Sequence, residues 1–182
     1  MNVTQIKPKT CKHCGTTFYP ARMMQRVCSP VCAGRLVKAE KKEVIQQTRA
    51  QREALKTIPD LKKEAQHAFN AFIRARDREK PCICCGQSLS NGATGGHFDA
   101  GHYRSTGSAD HLRFHEDNCH GQRKQCNRYG AGRAVDYRQG LIQRIGLERV
   151  EALETNNTTS KWTAERLREI KTLYKQKLKE LK

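Results

Sequence analysis

Between Cys82 and Asn127 the chain concentrates cysteine, histidine, aspartate and asparagine at short spacings: PCICCG, then HFDAGHYRS, then EDNCHGQRKQCNRYGAG. Hydrolysis of a phosphodiester needs a base to activate water and a cation to stabilise charge on the phosphate and the leaving oxygen. His102 supplies a base in a segment, 97–103, that reads as extended. Side chains alternate along a strand, so Asp99 and Gly101 share one face and His102 takes the other. From there the Asp99 carboxylate is expected to reach a hard cation beside His102, across the bare backbone of Gly101. Asn127, fixed by its neighbour Cys126, offers a neutral oxygen to the same cation. Oxygen donors suit Mg²⁺ or Mn²⁺ rather than zinc.

The cysteines do different work. Nine of them in a chain expected to be cytosolic favour metal over disulfides, and the odd count fits a paired framework badly. Cys11-x-x-Cys14 and Cys28-x-x-x-Cys32 offer four thiolates from two tight turns, a closed shell for a structural zinc. Phe18 and Tyr19 are placed to cover it. Lys12, Arg22 and Arg26, with Lys7 and Lys9, can dock that knuckle on DNA. Cys82 and Cys85 form a second knuckle, and Cys126 lies far downstream. The fourth ligand of this second zinc is Cys119 on the favoured reading, with His120 as the alternative, while Cys84 points elsewhere.

Charge sets the class of partner. Thirty-five Lys and Arg against eighteen Asp and Glu give a net charge of +17, which repels itself unless a polyanion is near. Nucleic acid is the first candidate and an anionic membrane surface the second. Arg104, Arg113, Arg123, Lys124, Arg128 and Arg133 crowd the chemical segment and are read as phosphate contacts, which position a substrate without reading its sequence. His97, His111 and His115 are further candidates for DNA contact. No long apolar run and no signal peptide are legible, so a cytoplasmic protein without a membrane partner is expected.

These groups need elements to hold them. With 36% hydrophobic and 6% aromatic residues, small metal-stapled units and helices fit better than one large core. The fold class read from this is α+β, mainly helical. Residues 1–34 make a zinc-finger-like DNA-binding module, 35–59 a basic helical linker, and 60–182 the catalytic domain with C-terminal helices. Ile58-Pro59 breaks the linker helix and Asp60 caps the next one. Leu61, Ala65, Ala68, Phe69, Phe72 and Ile73 recur on one face of a helix ending near Glu79. Residues 81–132 suit a hairpin followed by a short helix. Residues 133–146 return to helix, with Ala134, Tyr137, Leu141, Ile142 and Ile145 inward and Gly146 as the stop; 147–154 form another. Thr163 caps the last helix, with Trp162 and Leu167 as a staple. Its stripe Leu167, Ile170, Tyr174, Leu178, Leu181 reads as core or as the seam of a homodimer.

His102, Asn118 and the pair Cys126-Asn127 are similar to the signature of the HNH, or ββα-metal, nucleases, with Asn127 where that signature ends in His. Over almost its whole length the chain resembles the NinG (Rap) recombination endonucleases of lambdoid phages. The likeness runs through the N-terminal Cys-x-x-Cys, FNAFIRARDREKPCICCG, DAGHYRS, LRFHEDN, CNRYGAG, YRQGLIQRIG and KWTAERL. It implies a metal-dependent nuclease in the bacterial host that nicks D-loops and four-way (Holliday) junctions, alongside other recombination proteins. It makes His102 the general base, Asn118 the brace that orients it, and Asn127 a metal ligand. One departure stands out: the family pattern places the first member of a second Cys-x-x-Cys where this chain has Arg123. Cys119 replaces it if the stretch is helical, because residues four apart are then neighbours. Rival readings are a non-catalytic zinc-containing DNA-binding or annealing factor, and a sequence-specific HNH nuclease.

Overall fold

The computed structural model describes residues 7–89, 98–130 and 132–181. They form two compact units, Met1–Lys56 and Thr57–Lys182, in a mixed α+β, mainly helical arrangement. The sequence-based module boundary at 34/35 falls inside a helix, so the first knuckle and the charged helix belong to one unit.

In the first unit, β1 (Lys9–Thr10) pairs antiparallel with β2 (Thr17–Phe18), in the register Lys9↔Phe18. α1 (Pro30–Ala54) follows. Ser29 caps it by accepting from the Cys32 N–H, and Pro30 sits in the first turn where a missing N–H costs nothing. None of its side chains is buried. Its sparse apolar residues give no face for a core.

The second unit opens on α2 (Ile58–Arg76). Its cap is Thr57 rather than Asp60: the Thr57 hydroxyl accepts from the Asp60 N–H while the Asp60 carboxylate accepts from the Thr57 N–H. Asp60 is thus the far member of a capping box, and Pro59 lies in the first turn instead of before the helix. The six apolar residues expected to face inward are all buried. They pack on α5 (Ala164–Glu180), where Phe69 meets Tyr174 edge-on at 4.7 Å and Phe114 at 5.9 Å. Burying each such ring contributes about 1.5–3 kcal/mol. Leu167, Ile170 and Tyr174 are consumed by this contact, and Leu178 packs against it. The stripe is core, the first of the two readings it allowed, and Leu181 lies outside it, half exposed.

β3 (Phe98–His102) and β4 (Cys119–Arg123) form an antiparallel pair joined by residues 103–118. A π-helical turn, Gln125–Tyr129, stands where a short helix was expected. α3 (Ala134–Ile145) and α4 (Leu147–Thr155) close a second apolar cluster of Ile83, Leu112, Tyr137, Leu141, Val150 and Leu153. Gly140 is obligatory within it, because a Cβ there would lie 1.9 Å from the Ile83 carbonyl oxygen. Tyr137 reaches out of α3 into the hairpin. Its hydroxyl donates to the Gly101 carbonyl (2.7 Å) and accepts from the His120 N–H (3.1 Å).

Candidate functional site

The first cysteine group is as complete as its spacing promised. Cys11 and Cys14 bracket a turn that closes through the Gly15 N–H on the Cys11 carbonyl, with Gly15 at φ 72°. Cys28 precedes α1, and Cys32 lies in its first turn. The four sulfurs are all within 4.8 Å of one another, and Cys28 is 3.6 Å from both Cys14 and Cys32. A tetrahedral zinc with sulfurs at about 2.3 Å requires edges of about 3.8 Å, so the set can hold such an ion. The backbone N–H of Cys14, with smaller help from those of Cys28 and His13, draws the Cys11 thiol down to about 6, which prepares a thiolate. Phe18 is half-buried, but Tyr19 is 74% exposed and covers nothing. Arg26 is paired with Glu40, and Lys12 and Arg22 are exposed.

The second group differs from expectation. Cys82, Cys85 and Cys126 bring their sulfurs within 4.8 Å of one another. Cys82 and Cys85 flank a turn ending at Gly86 (φ 69°), and the Arg123 N–H donates to the Cys82 sulfur at 3.3 Å. Contact with Cys84, opposed by burial and aided by that N–H, holds the Cys82 thiol down to about 4. Cys119 is not among them. The stretch is a strand, not a helix, so no four-residue spacing aims it at the knuckle. Its sulfur is buried in the Phe69–Tyr174 cluster, and burial pushes the thiol up so that it stays protonated. His120 is no substitute: its Nδ1 meets Arg76 at 3.1 Å, and its Nε2 donates to the Asp117 carbonyl at 3.1 Å. Among the described residues this group therefore offers three thiolates, which can hold a metal ion. Cys84 lies outside the trio but not away from it: its thiol contacts Cys82, and its sulfur accepts from Gln122 Nε2 at 2.9 Å.

Around the hairpin, His102 donates from Nε2 to the Arg113 carbonyl (2.9 Å), which leaves Nδ1 as the basic nitrogen. Nδ1 lies 3.7 Å from the Cys119 sulfur. Burial lowers the His102 pKa, so the ring is neutral at neutral pH. Asn118 is fully buried and clamps the segment that leaves His102. Its Oδ1 accepts from the Arg104 N–H (2.8 Å), and its Nδ2 donates to the carbonyls of Arg104 (3.0 Å) and Leu112 (3.2 Å). These bonds tie residues 104 and 112 to the residue preceding β4; none of them is to His102 itself.

Asp99 and Asn127, far apart in sequence, do come together: Asn127 Nδ2 donates to the Asp99 carboxylate at 3.1 Å. Arg128 also grips that carboxylate with two bonds, 2.8 and 3.0 Å. Burial would raise the Asp99 pKa, but Arg128 and then Asn127 outweigh it and hold the group ionised. One carboxylate and one amide fit a hard divalent cation that keeps several waters, provided Arg128 turns away and Asn127 presents its oxygen. The expectation that this cation sits beside His102 is not met. Strand alternation leaves Asp99 on one face of the hairpin, and His102 packs on the other against Cys119 and the Phe69 ring, 6.1 Å away.

Most of the arginines assigned to DNA are engaged within the protein. Arg104 donates to the carbonyls of Leu153 and Asn156, Arg113 to Asp110, Arg123 to Gln87, Arg128 to Asp99 and Arg133 to Asp136. Lys124 follows β4, half-buried. His111 is spent on the Asn156 carbonyl, His115 is exposed, and His97 lies outside the described residues.

Sequence reasoning missed Asp77. Fully buried at the C-terminal end of α2, it accepts from the Gly121 N–H (2.9 Å), Arg76 (2.8 Å) and Lys80 (2.9 Å). Burial would push its carboxyl up, but His120 and Arg76 hold it far below the usual carboxylate range. A signal was present: a carboxylate at a helix C-terminus opposes the helix dipole unless cations compensate, and RARDREK supplies them.

Residues 3–182 match the family model described as Bacteriophage Lambda NinG protein. The chain is 40% identical to Protein ninG of Escherichia phage lambda, over 96% of this chain and 93% of that protein. It is 40% identical to Protein ninG of Escherichia phage 933W and 39% identical to that of Salmonella phage P22, each over 96% of this chain and 94% of the relative. No solved structure gives a significant match. With the cysteine groups, the hairpin and its asparagine clamp all inside the matched span, the chain belongs to the NinG family of lambdoid phages.

Proposed function

We propose that the protein is a metal-dependent endonuclease that nicks branched DNA, such as D-loops and four-way junctions, during phage recombination. The observation that carries this reading is His102: a neutral imidazole with Nε2 tied to a backbone carbonyl, on a strand whose exit Asn118 clamps. Nδ1 accepts only a long contact, 3.7 Å, from the protonated Cys119 thiol, which a water would have to displace. In this reading Nδ1 takes the proton of a water as its oxygen attacks phosphorus, and the bond to the 3′-oxygen breaks. Asp99 and Asn127 would hold Mg²⁺ or Mn²⁺, whose charge stabilises the leaving oxygen. The two cysteine groups would hold zinc and fix the DNA-facing surfaces without taking part in the chemistry.

A non-catalytic DNA-binding role is the second reading. It is favoured by the Arg128 grip on Asp99 and by the opposite facing of Asp99 and His102. One assay separates them: cleavage of a labelled four-way junction with Mg²⁺ or Mn²⁺, wild type against His102→Ala, with binding followed by mobility shift. Loss of at least about 100-fold in cutting with binding retained is expected of a general base. Wild-type protein that binds but never cuts establishes the second reading, and unimpaired His102→Ala removes His102 from the chemistry. Equal cutting of linear duplex and junction would favour a sequence-specific nuclease.

A further inference from the structure

With the arginines around the hairpin paired, the free positive charge lies elsewhere. We propose that the groove along the outer face of α2, lined by Lys62, Lys63, His67, Asn70, Arg74 and Arg113, seats the phosphodiester backbone of a DNA strand. This rests on the reading of the protein as one that acts on DNA, and it assigns the surface that holds the substrate.

The helix dictates the stripe. Residues 61, 65, 68, 69, 72 and 73 face the core, so 63, 67, 70 and 74 rise in successive turns on the opposite side. Lys63 to Arg74 is eleven residues, about 17 Å at 1.5 Å per residue. A DNA strand carries one phosphate per about 3.4 Å of helix axis, so about five phosphates pass along such a length. The groove has a volume of about 480 Å³ and no carboxylate lines it.

The acids nearby are already satisfied. Asp60 closes the capping box with Thr57, and Glu64 binds Lys171 at 2.7 Å. Asp110 takes Lys62 (2.8 Å), Arg113 (2.5 Å) and the Trp162 indole (2.7 Å). Lys63 and Arg74 are exposed and form no salt bridge among the described residues. Gln66 donates to Asn70 Oδ1 at 2.7 Å, which leaves the Asn70 Nδ2 as a donor suited to phosphate and sugar oxygens.

Location gives the groove its meaning. Arg113 lines the groove, its guanidinium held by Asp110, Gln66 and the Thr106 carbonyl, while its backbone carbonyl accepts from His102 Nε2. A strand laid along α2 therefore passes the residue that anchors the imidazole. An anionic lipid surface fits less well, because the lining is concave and Pro59 is its single apolar contributor.

The test uses the full chain and a labelled four-way junction, with dissociation constants measured by fluorescence anisotropy between about 50 and 200 mM salt. Lys63→Ala/Arg74→Ala removes two side chains that hold nothing in the fold, and its melting temperature should match wild type. Losing two phosphate contacts should reduce the slope of log K against log[salt] by about 2 and weaken binding by tenfold or more, whatever the sequence of the arms. Lys161→Ala/Lys179→Ala, equal in charge and outside the groove, should keep the wild-type slope. A groove variant with wild-type slope and affinity, while wild type binds DNA, overturns the proposal and leaves the DNA reading standing. Wild type that binds no DNA overturns both. Loss of binding to phosphatidylserine vesicles with DNA binding intact would assign the groove to a lipid surface instead.

Discussion

Cys11, Cys14, Cys28 and Cys32 hold together a unit in which only Cys11 and Pro20 are buried among the described residues. Cys82, Cys85 and Cys126 sit in a unit that already has two apolar clusters and a buried charge network. Fixing each residue's backbone costs about 1–2 kcal/mol, so ordered structure without a core needs another source of stability. In the first unit a metal held by the four sulfurs would supply it. The second has burial as well, and its cysteine group is correspondingly less complete. Ligand number thus follows the burial available nearby.

The sharpest way to break this contrast is chelation. Removing metal should unfold residues 9–34 outright, since structural zinc supplies about 10–16 kcal/mol of apparent binding energy in small metal-folded domains. Trypsin should then cut after Lys12, Arg22 and Arg26 while the 57–182 unit resists. Equal resistance of both units would end the comparison. Next in size is Phe69→Ala, which opens the α2–α5 core. A loss of about 3–5 kcal/mol is expected in the denaturant midpoint of the second unit alone, with the tryptic resistance of the first unchanged. A loss below 1 kcal/mol would show that the second unit also leans mainly on its metal.

Cys119→Ser should leave the metal count per chain at its wild-type value, whereas Cys126→Ser should lower it by one. A drop with Cys119→Ser would return that thiol to the ligand set.

The smallest effect expected is on acid stability. Burial lowers the pKa values of His102 and His120, so below about pH 6.5 the unfolded chain binds protons that the folded chain refuses. Stability should be flat above that pH and decline as pH falls through the window down to the lowered folded values. The depressed Asp77 adds stability that persists to lower pH and is lost below the ordinary carboxylate range, near pH 4. His120→Gln should make the melting temperature fall less between pH 7 and 5, and an unchanged slope would remove His120 from the account.

Local rules made much of this legible in advance. The 3.6-residue period gave the α2 core residue by residue, and the Cys-x-x-Cys spacings gave both knuckles. Asn118 and the meeting of Asp99 with Asn127 were also placed. What failed depended on distant partners. Cys119 was assigned to the metal on the premise of a helix, and pairing with β3 made it a strand. Asp60 looked like a cap because its Thr57 partner precedes the break. Arginines were counted as DNA contacts by closeness in sequence to the chemical segment, but ion pairing across the fold decides which are free. Two exposed cations without a salt bridge among the described residues, Lys63 and Arg74, stood on a helix whose periodicity drew attention to its other face.

Tyr137 has one more consequence. The His120 N–H ends on a phenol from α3 instead of on the carbonyl of Gly101 across the ladder. Pulling α3 away would strand two buried backbone groups at about 1–3 kcal/mol each, so helix and hairpin are bound to open together. The amide of His120 should therefore exchange its hydrogen for deuterium at the pace of α3, not of a short two-stranded ribbon. The strand that carries His102 inherits the slow opening of a much larger cooperative unit.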